Sequence, residues 1–355
     1  MLKLGILDQS PVWTGGDAAR SLRSTIGLAG LAERLGYSRF WVSEHHSAAG
    51  LAGSSPEVLL AAIGAHTSRI RIGSGGVLLP HYSPYKVAEN FKVLQALYPG
   101  RLDLGIGRAP GGMPIVSRAM GRESGKDKEE GFAQSLRELG AYIGSGPPLE
   151  AGHPLAGLAA MPEVSGVPEV WLLGSSLHSA QVASEMGAGF AFAHFINGRG
   201  GQEVVREYRR RYRPGPLGGV PRVAVCVFVV CMDTDAAAER EAAALDLRLL
   251  QGDKGDYGKP VPGREEALRY PYSAQDRARI AANRSRMVVG GTARVSRALP
   301  AFAQSYGADE VIVNCMTADP DSRDRCYKLL ARLFLNGDAR PRGGVIGNGG
   351  IGGLR

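Results

Sequence analysis

Short apolar runs alternate along this chain with longer stretches whose apolar positions recur three and four residues apart. Short runs bounded by turn residues mark strands, and the 3.6-residue period marks helices. The runs at 3–7, 39–42, 71–78, 102–106, 169–173, 189–193, 223–231 and 310–313 predict eight strands. Residues 223–231, VAVCVFVVC, are almost wholly apolar, as a parallel strand buried on both faces requires. Residues 17–35 place Leu22, Ile26, Ala29 and Ala32 at helical spacing, with Gly36 as a C-terminal stop. Residues 83–98 carry Pro84 in the first turn, where a proline is tolerated.

Strands that alternate with helices eight times predict an α/β fold, a (β/α)8 TIM barrel spanning residues 1–335 as one domain. Two stretches break the rhythm. Residues 144–167 are rich in Gly and Pro and delay the fifth strand. Residues 252–272, GDKGDYGKPVPGREEALRYPY, form a polar insertion after the seventh strand and its helix, and read as a mobile lid with few apolar residues to dock it. Residues 336–355 are glycine-rich and read as a flexible tail.

Composition narrows the partners. The formal charge is +8, but lysines and arginines are scattered among acids and form no basic block interleaved with aromatics. Nucleic acid is therefore not an expected partner, and a small anionic ligand suits the charge better. No run approaches the roughly 18 apolar residues of a membrane span, and MLKLGILDQSP enters a strand pattern without a signal-peptide layout. The four cysteines have no metal-type spacing, and Cys226 and Cys231 fall on opposite faces of one strand. The expectation is a reduced, cytoplasmic protein with no membrane association.

Four stretches carry chemistry. LDLGIGRAPGG at 102–112 looks like a strand entering a phosphate loop. A dinucleotide fingerprint needs a third glycine at position 110, which is Pro, and Gly111 comes one residue too late. Arg108 remains, a fixed guanidinium at a strand end, suited either to a phosphate or to a structural ion pair. EVWLLGSSLHSAQVASEM at 169–186 runs a strand into Gly174, Ser175 and Ser176, with a helix starting near Ser176 and Ser179 one turn in. Free amides, the positive helix end and several hydroxyls converge there, for a plain cap or an anion. FWVSEHHSAAG at 40–50 places Glu44, His45 and His46 after the second strand, at the catalytic end of a barrel. Adjacent histidines on extended chain face opposite ways, so one at most faces the mouth, as an acid/base. IGSGGVLLP at 72–80 has Gly75 and Gly76 in mid-strand, which marks a bulge or the approach of something flat.

These stretches, in this order, resemble the bacterial luciferase-like, flavin-dependent monooxygenases over about residues 2–335. The resemblance rests on WVSEHH, IGSGGVLLPHYSPYKVAENFKVLQALYPGRLDLGIGR and LLGSSLHSAQVASEMG. It implies a TIM barrel with an insertion after the seventh strand. It also implies His45 as the active-site histidine, Gly75–Gly76 as a non-proline cis peptide against the isoalloxazine, and Arg108, Ser176 and Ser179 as ligands of the FMN phosphate. Ser175 stands where luciferase itself has an acidic residue. The implied activity is a two-component monooxygenase: reduced FMN from a separate flavin reductase, O2 as co-substrate, a small organic substrate, and a homodimer. The alternatives are an F420-dependent oxidoreductase of the same fold and a flavin-binding protein without turnover.

Overall fold

The structure, a computed structural model, describes residues 2–335 except Pro110, residues 122–128 and Tyr257. The tail predicted at 336–355 lies outside the described residues. The strands are β1 (Leu4–Asp8), β2 (Arg39–Val42), β3 (Arg71–Ser74), β4 (Val77–Leu78), β5 (Leu102–Gly107), β6 (Glu169–Gly174), β7 (Gly189–Ala193), β8 (Val223–Met232), β9 (Met287–Gly291) and β10 (Glu310–Asn314). Their pairings are parallel, in the order β10-β1-β2-β3-β5-β6-β7-β8-β9, and β10 closes on β8. The result is the eight-position TIM barrel predicted from sequence, with helices between strands. The predicted third strand is split at Gly75–Gly76, so β3 and β4 share one position beside β5. β9 is an addition that the sequence pattern did not announce. It extends the sheet along the far half of β8, from Phe228↔Met287 to Met232↔Gly291.

Alternation along each strand sorts the side chains into two cores. On β2, Phe40 and Val42 join the apolar layer under the helices, while Trp41 faces the barrel interior with Leu7, Trp171, Ala191, Ala224, Cys226 and Ile312. Cys226 therefore points inward and Cys231 outward, and all four cysteines are buried and free. The helix Ala18–Leu35 is capped by Asp17, which accepts from the Arg20 amide, and ends at left-handed Gly36 (φ 87°). Pro84 opens the helix Pro84–Leu97. Among the described residues no helix is long and apolar enough to cross a membrane.

At the strands' N-terminal ends the barrel is closed by charge. Arg39, almost fully buried, meets Asp103 at 2.7 Å and Glu310 at 2.9 Å. Asp103 also holds Arg71 at 2.6 Å and accepts from Trp41 Nε1 at 2.9 Å. The Arg39 guanidinium lies 4.9 Å from the Trp171 ring centroid. Burial opposes its charge, but Asp103, Glu310 and Glu169 outweigh that and hold its pKa above the usual value.

The insertion at 252–272 is better anchored than its composition suggests. Val261 donates to the Val12 carbonyl at 2.7 Å and accepts from Thr14 at 2.9 Å. Val261 and Ala267 are fully buried, the latter against Leu247 and Leu250 of the helix Asp235–Asp253. The few apolar residues of the segment are buried or packed nonetheless, Tyr270 and Tyr272 joining Ala267 against that helix.

Candidate active site

At the opposite, C-terminal end of the strands lies a cavity of about 500 Å³. His45, Gly75, Gly76, Arg108, Gly174, Ser175, Ser176 and Ser179 all line it. Residues from four separate stretches of sequence are thereby brought to one place, where TIM barrels carry their chemistry.

One wall is bare backbone. The Gly75–Gly76 peptide is cis. A Cβ on Gly75 would stand 2.6 Å from Leu7 Cδ1, and one on Gly76 would stand 2.6 Å from the Gly105 carbonyl oxygen. No side chain fits at either position, so the wall is flat. Gly105 has a different purpose from the one its motif suggests. A Cβ there would land on the Ser74 carbonyl, and Ser74 Oγ bridges the strand, donating to Gly105 O at 2.8 Å and accepting from Gly105 N at 3.0 Å. Gly105 thus serves strand packing where the bulge breaks the ladder, whereas Gly107 lines the cavity.

Arg108, exposed at the end of β5, marks one pole, where it borders a recess with His178 and Ser179. Beside it begins the helix Leu177–Met186, with Ser176 as N-cap in a reciprocal capping box. The Ser179 amide donates to Ser176 Oγ at 3.3 Å, and the Ser176 amide to Ser179 Oγ at 3.2 Å. The Ser179 hydroxyl donates to the Ser176 carbonyl at 2.7 Å. The cap reading holds, and the capped turn also lines the cavity. The box orders the turn, while the first-turn amides of Leu177 and His178 lack intrahelical partners by geometry and carry the positive helix end.

His45 sits between this cavity and a second one, and lines both. Asn314 Nδ2 donates to Gln9 Oε1 at 3.0 Å, which turns the Gln9 amide nitrogen toward His45 Nε2, 3.5 Å away. His45 Nδ1 is 3.1 Å from Ser43 Oγ. The network assigns the proton to Nδ1, donating to Ser43, and leaves Nε2 as an acceptor facing Gln9. Burial, then the neighbouring His46 and Arg248, lower the His45 pKa to about 4. Burial therefore favours the neutral imidazole at pH 7.

His46 points elsewhere. Its Nε2 lies 2.7 Å from Glu44 Oε1, and its ring packs edge-on to His81 at 6.2 Å. Buried Glu44 also accepts from Tyr82 at 2.7 Å and from the Leu78 amide at 2.9 Å, pinning β4 to the loop after β2.

Sequence reading missed Gln9, Ser43 and Asn314. Gln9 and Asn314 lie at the C-terminal ends of β1 and β10, so the barrel rule that flagged His45 could have flagged them too. The second cavity, about 310 Å³, gave no local signal, because its lining is gathered from distant segments, Arg248 from the helix Asp235–Asp253 and Arg286 from the turn Arg284–Arg286.

The lining divides by chemistry into a flat glycine wall with apolar Leu7, Trp41, Leu173 and Ala191 around it, and a polar, positive end at Arg108 and the helix start at Ser176. An aromatic ring system ending in a phosphate fits that division.

Known proteins carry the same architecture. A luciferase-like monooxygenase family model matches residues 2–310. The chain is 50% identical over 336 residues to Bacillus subtilis (strain 168) YwcH, covering 95% of this chain and all of that one. It is 36% identical to the N-acetyl-S-alkylcysteine monooxygenase of the same organism, covering 94% of this chain and 99% of that one. The crystal structure of apo-MsnO8 superposes with a TM-score of 0.85 at 40% identity, covering 94% of this chain and 98% of that one. Two more distant structures show the shared fold alone. One is the oxygenating constituent of 3,6-diketocamphane monooxygenase with FMN (20%, TM-score 0.67), and the other an F420-dependent secondary alcohol dehydrogenase (13%, TM-score 0.67). With a barrel, a cis-glycine wall and a strand-end histidine joined to a match over most of its length, this chain belongs to the luciferase-like monooxygenase family.

Proposed function

We propose that this protein is an FMN-dependent monooxygenase of the two-component type, which receives reduced flavin from a separate reductase and oxygenates a small organic substrate. The observation that carries the reading is the cavity lining: a bare peptide wall for a ring, and an arginine plus a helix start for a phosphate. When bound and reduced, the flavin supplies electrons to O2, so that one oxygen atom enters the substrate and the other leaves as water.

The chain's own residues provide the rest. Arg108 and the first-turn amides hold the phosphate. The Gly75–Gly76 peptide, Leu7 and Leu173 position the ring and exclude water. His45, neutral and oriented by Ser43 and Gln9, offers Nε2 as a hydrogen-bond acceptor to the reacting end of the cavity. Burial, then His46 and Arg248, disfavour its charged form, so that Nε2 would hold a partner's proton by a hydrogen bond at the reacting end of the cavity. A relative named for N-acetyl-S-alkylcysteines makes small thioether acids the first substrates to screen.

Titration with FMN and with F420 tests the cofactor. Tight FMN binding, with product formed when a flavin reductase, NADH and O2 are supplied, supports the proposal. Hydride exchange with F420 and none with FMN replaces it with the deazaflavin alternative. Flavin binding with neither product nor peroxide leaves a non-catalytic flavin protein.

A further inference from the structure

Gln9, His45, Phe195 and Ile196 line both cavities and so form the wall between them. Gln9 and His45 belong to the hydrogen-bond network that orients the imidazole. Phe195 and Ile196 come from the turn after β7, and Phe195 is the larger of the two.

That turn is tied on several sides. The Phe195 amide donates to the Cys226 carbonyl on β8 at 3.1 Å, and the Ile196 and Asn197 amides donate to the Ala193 carbonyl at 3.0 and 3.1 Å. Asn197 Nδ2 donates to the Ser175 carbonyl at 3.2 Å, which joins the turn to the loop before the helix Leu177–Met186. The Phe195 ring meets Phe228 edge-on, with 5.4 Å between centroids and 74° between planes. Phe195 packs both on the barrel-interior core and on the layer under the helices. Swinging its ring aside would give up apolar burial on both. The partition is therefore fixed in place.

Behind it, the second cavity of about 310 Å³ has Leu51, Phe228, Leu249 and Met316 in its wall. That volume lies at the small end of the roughly 300–1,000 Å³ usual for ligand pockets. Aromatic edges and a thioether suit a flat apolar body. A molecule held there reaches the first cavity across the shared wall, so its reacting atom belongs beside His45 and the group next to that atom lies against Phe195.

We infer that the second cavity holds the substrate, that it takes compact molecules with a flat apolar body, and that Phe195 sets how wide that body is beside the reacting atom. What happens to the bound molecule rests on the flavin reading; the selection by size does not.

The test uses the full-length protein, flavin-free and also saturated with oxidised FMN, and two probes that differ by one fused ring, methyl phenyl sulfide and methyl 2-naphthyl sulfide. Calorimetric titration of the unmodified protein is expected to show the phenyl probe binding about ten- to a hundredfold more tightly, as overfilling a packed site predicts, although the naphthyl probe is the more apolar. Saturation with FMN is expected to leave the phenyl probe's affinity within about threefold. Phe195→Ala should bring the two probes within about threefold of each other, and Phe195→Leu should fall between. Leu249→Trp, which fills the second cavity from the helix Asp235–Asp253, should remove binding of both probes and leave FMN affinity unchanged. Several results would overturn the inference: no binding of either probe, equal binding of both to the unmodified protein, displacement by FMN, a preference that survives Phe195→Ala and Phe195→Leu, or probe binding that survives Leu249→Trp. If a variant does not fold, the unmodified protein's preference and its indifference to FMN decide. Absence of FMN binding would defeat the cofactor reading, and the flavin-free titration would still judge this one.

Discussion

The two ends of the barrel are built from the same strands and are put to opposite uses. On β2, Arg39 points inward at the closed end, while Trp41 further along it, and Ser43 and His45 just beyond it, line the open one. At the closed end the buried charges face one another: Arg39 has Asp103 and Glu310, and Asp103 also has Arg71 and Trp41. At the open end polar groups face cavities instead: the start of the helix Leu177–Met186 beside Arg108, and His45, which lines both cavities. Charges that face one another hold the barrel shut, and polar groups that face a cavity can meet a ligand. Substitutions at the two ends should therefore separate stability from binding and chemistry.

The largest effect is expected at His45. A positioned acid/base group contributes a factor of about 10²–10⁴. His45→Ala should lower substrate-coupled turnover by that order and divert reduced flavin to hydrogen peroxide, with FMN affinity and melting temperature near those of the unmodified protein. His46→Ala, which loses contacts with Glu44 and His81, is the control. Product and peroxide yields with a supplied reductase are the measurement. Unchanged coupling in His45→Ala removes it from the chemistry.

At the closed end, Asp103→Ala strips Arg39, Arg71 and Trp41 of a shared partner. Breaking a buried ion pair costs about 3–5 kcal/mol, because the surviving charge stays buried. Chemical denaturation should register that loss, while the folded fraction binds FMN within about threefold of normal. Lost FMN affinity with intact stability would break the division between the two ends.

Arg108→Ala is the mirror image. Arg108 is exposed, so stability should hold. Losing a charge-assisted contact to phosphate should weaken FMN by about 1.5–3 kcal/mol, ten- to a hundredfold. Fluorescence titration settles it, and equal affinity would move the phosphate elsewhere.

The sequence exposes these two ends unequally. All eight barrel strands are legible because a parallel strand buried on both faces writes a continuous apolar run. His45, Gly75–Gly76 and Arg108 are legible because each lies beside such a run. The closed end is not, since Arg39 pairs with residues 64 and 271 positions away, and no local pattern records such a distance. Arg248 is hidden for a related reason: it sits inside a helix, where an arginine ordinarily means a solvated face, yet it lines a cavity with His45.

Acid should affect the open end first. The His45 pKa is lowered from 6.5 to about 4. Between these values the unfolded chain binds the proton and the folded one does not, so this residue's contribution is complete above pH 6.5 and is lost as pH falls toward 4. The slope from one group is at most about 1.4 kcal/mol per pH unit. Denaturation midpoints compared at pH 7 and pH 5 should show less acid sensitivity in His45→Gln than in the unmodified protein. Equal sensitivity would assign the acid response to other groups.

The smallest effect tests whether one residue can belong to both kinds of end. Ser176 caps the helix Leu177–Met186 and also lines the cavity. Ser176→Ala should lose about 1 kcal/mol of stability through the cap and weaken FMN less than Arg108→Ala does, so it cannot by itself divide the roles. Ser176→Asp can. Aspartate is as good an N-cap as serine, so stability should be kept. Its carboxylate, however, would occupy the positive helix end and oppose the phosphate there, weakening FMN further than Ser176→Ala. If Ser176→Asp keeps both stability and FMN affinity, Ser176 is only a cap, and the phosphate pole contracts to Arg108 and the amides beyond it.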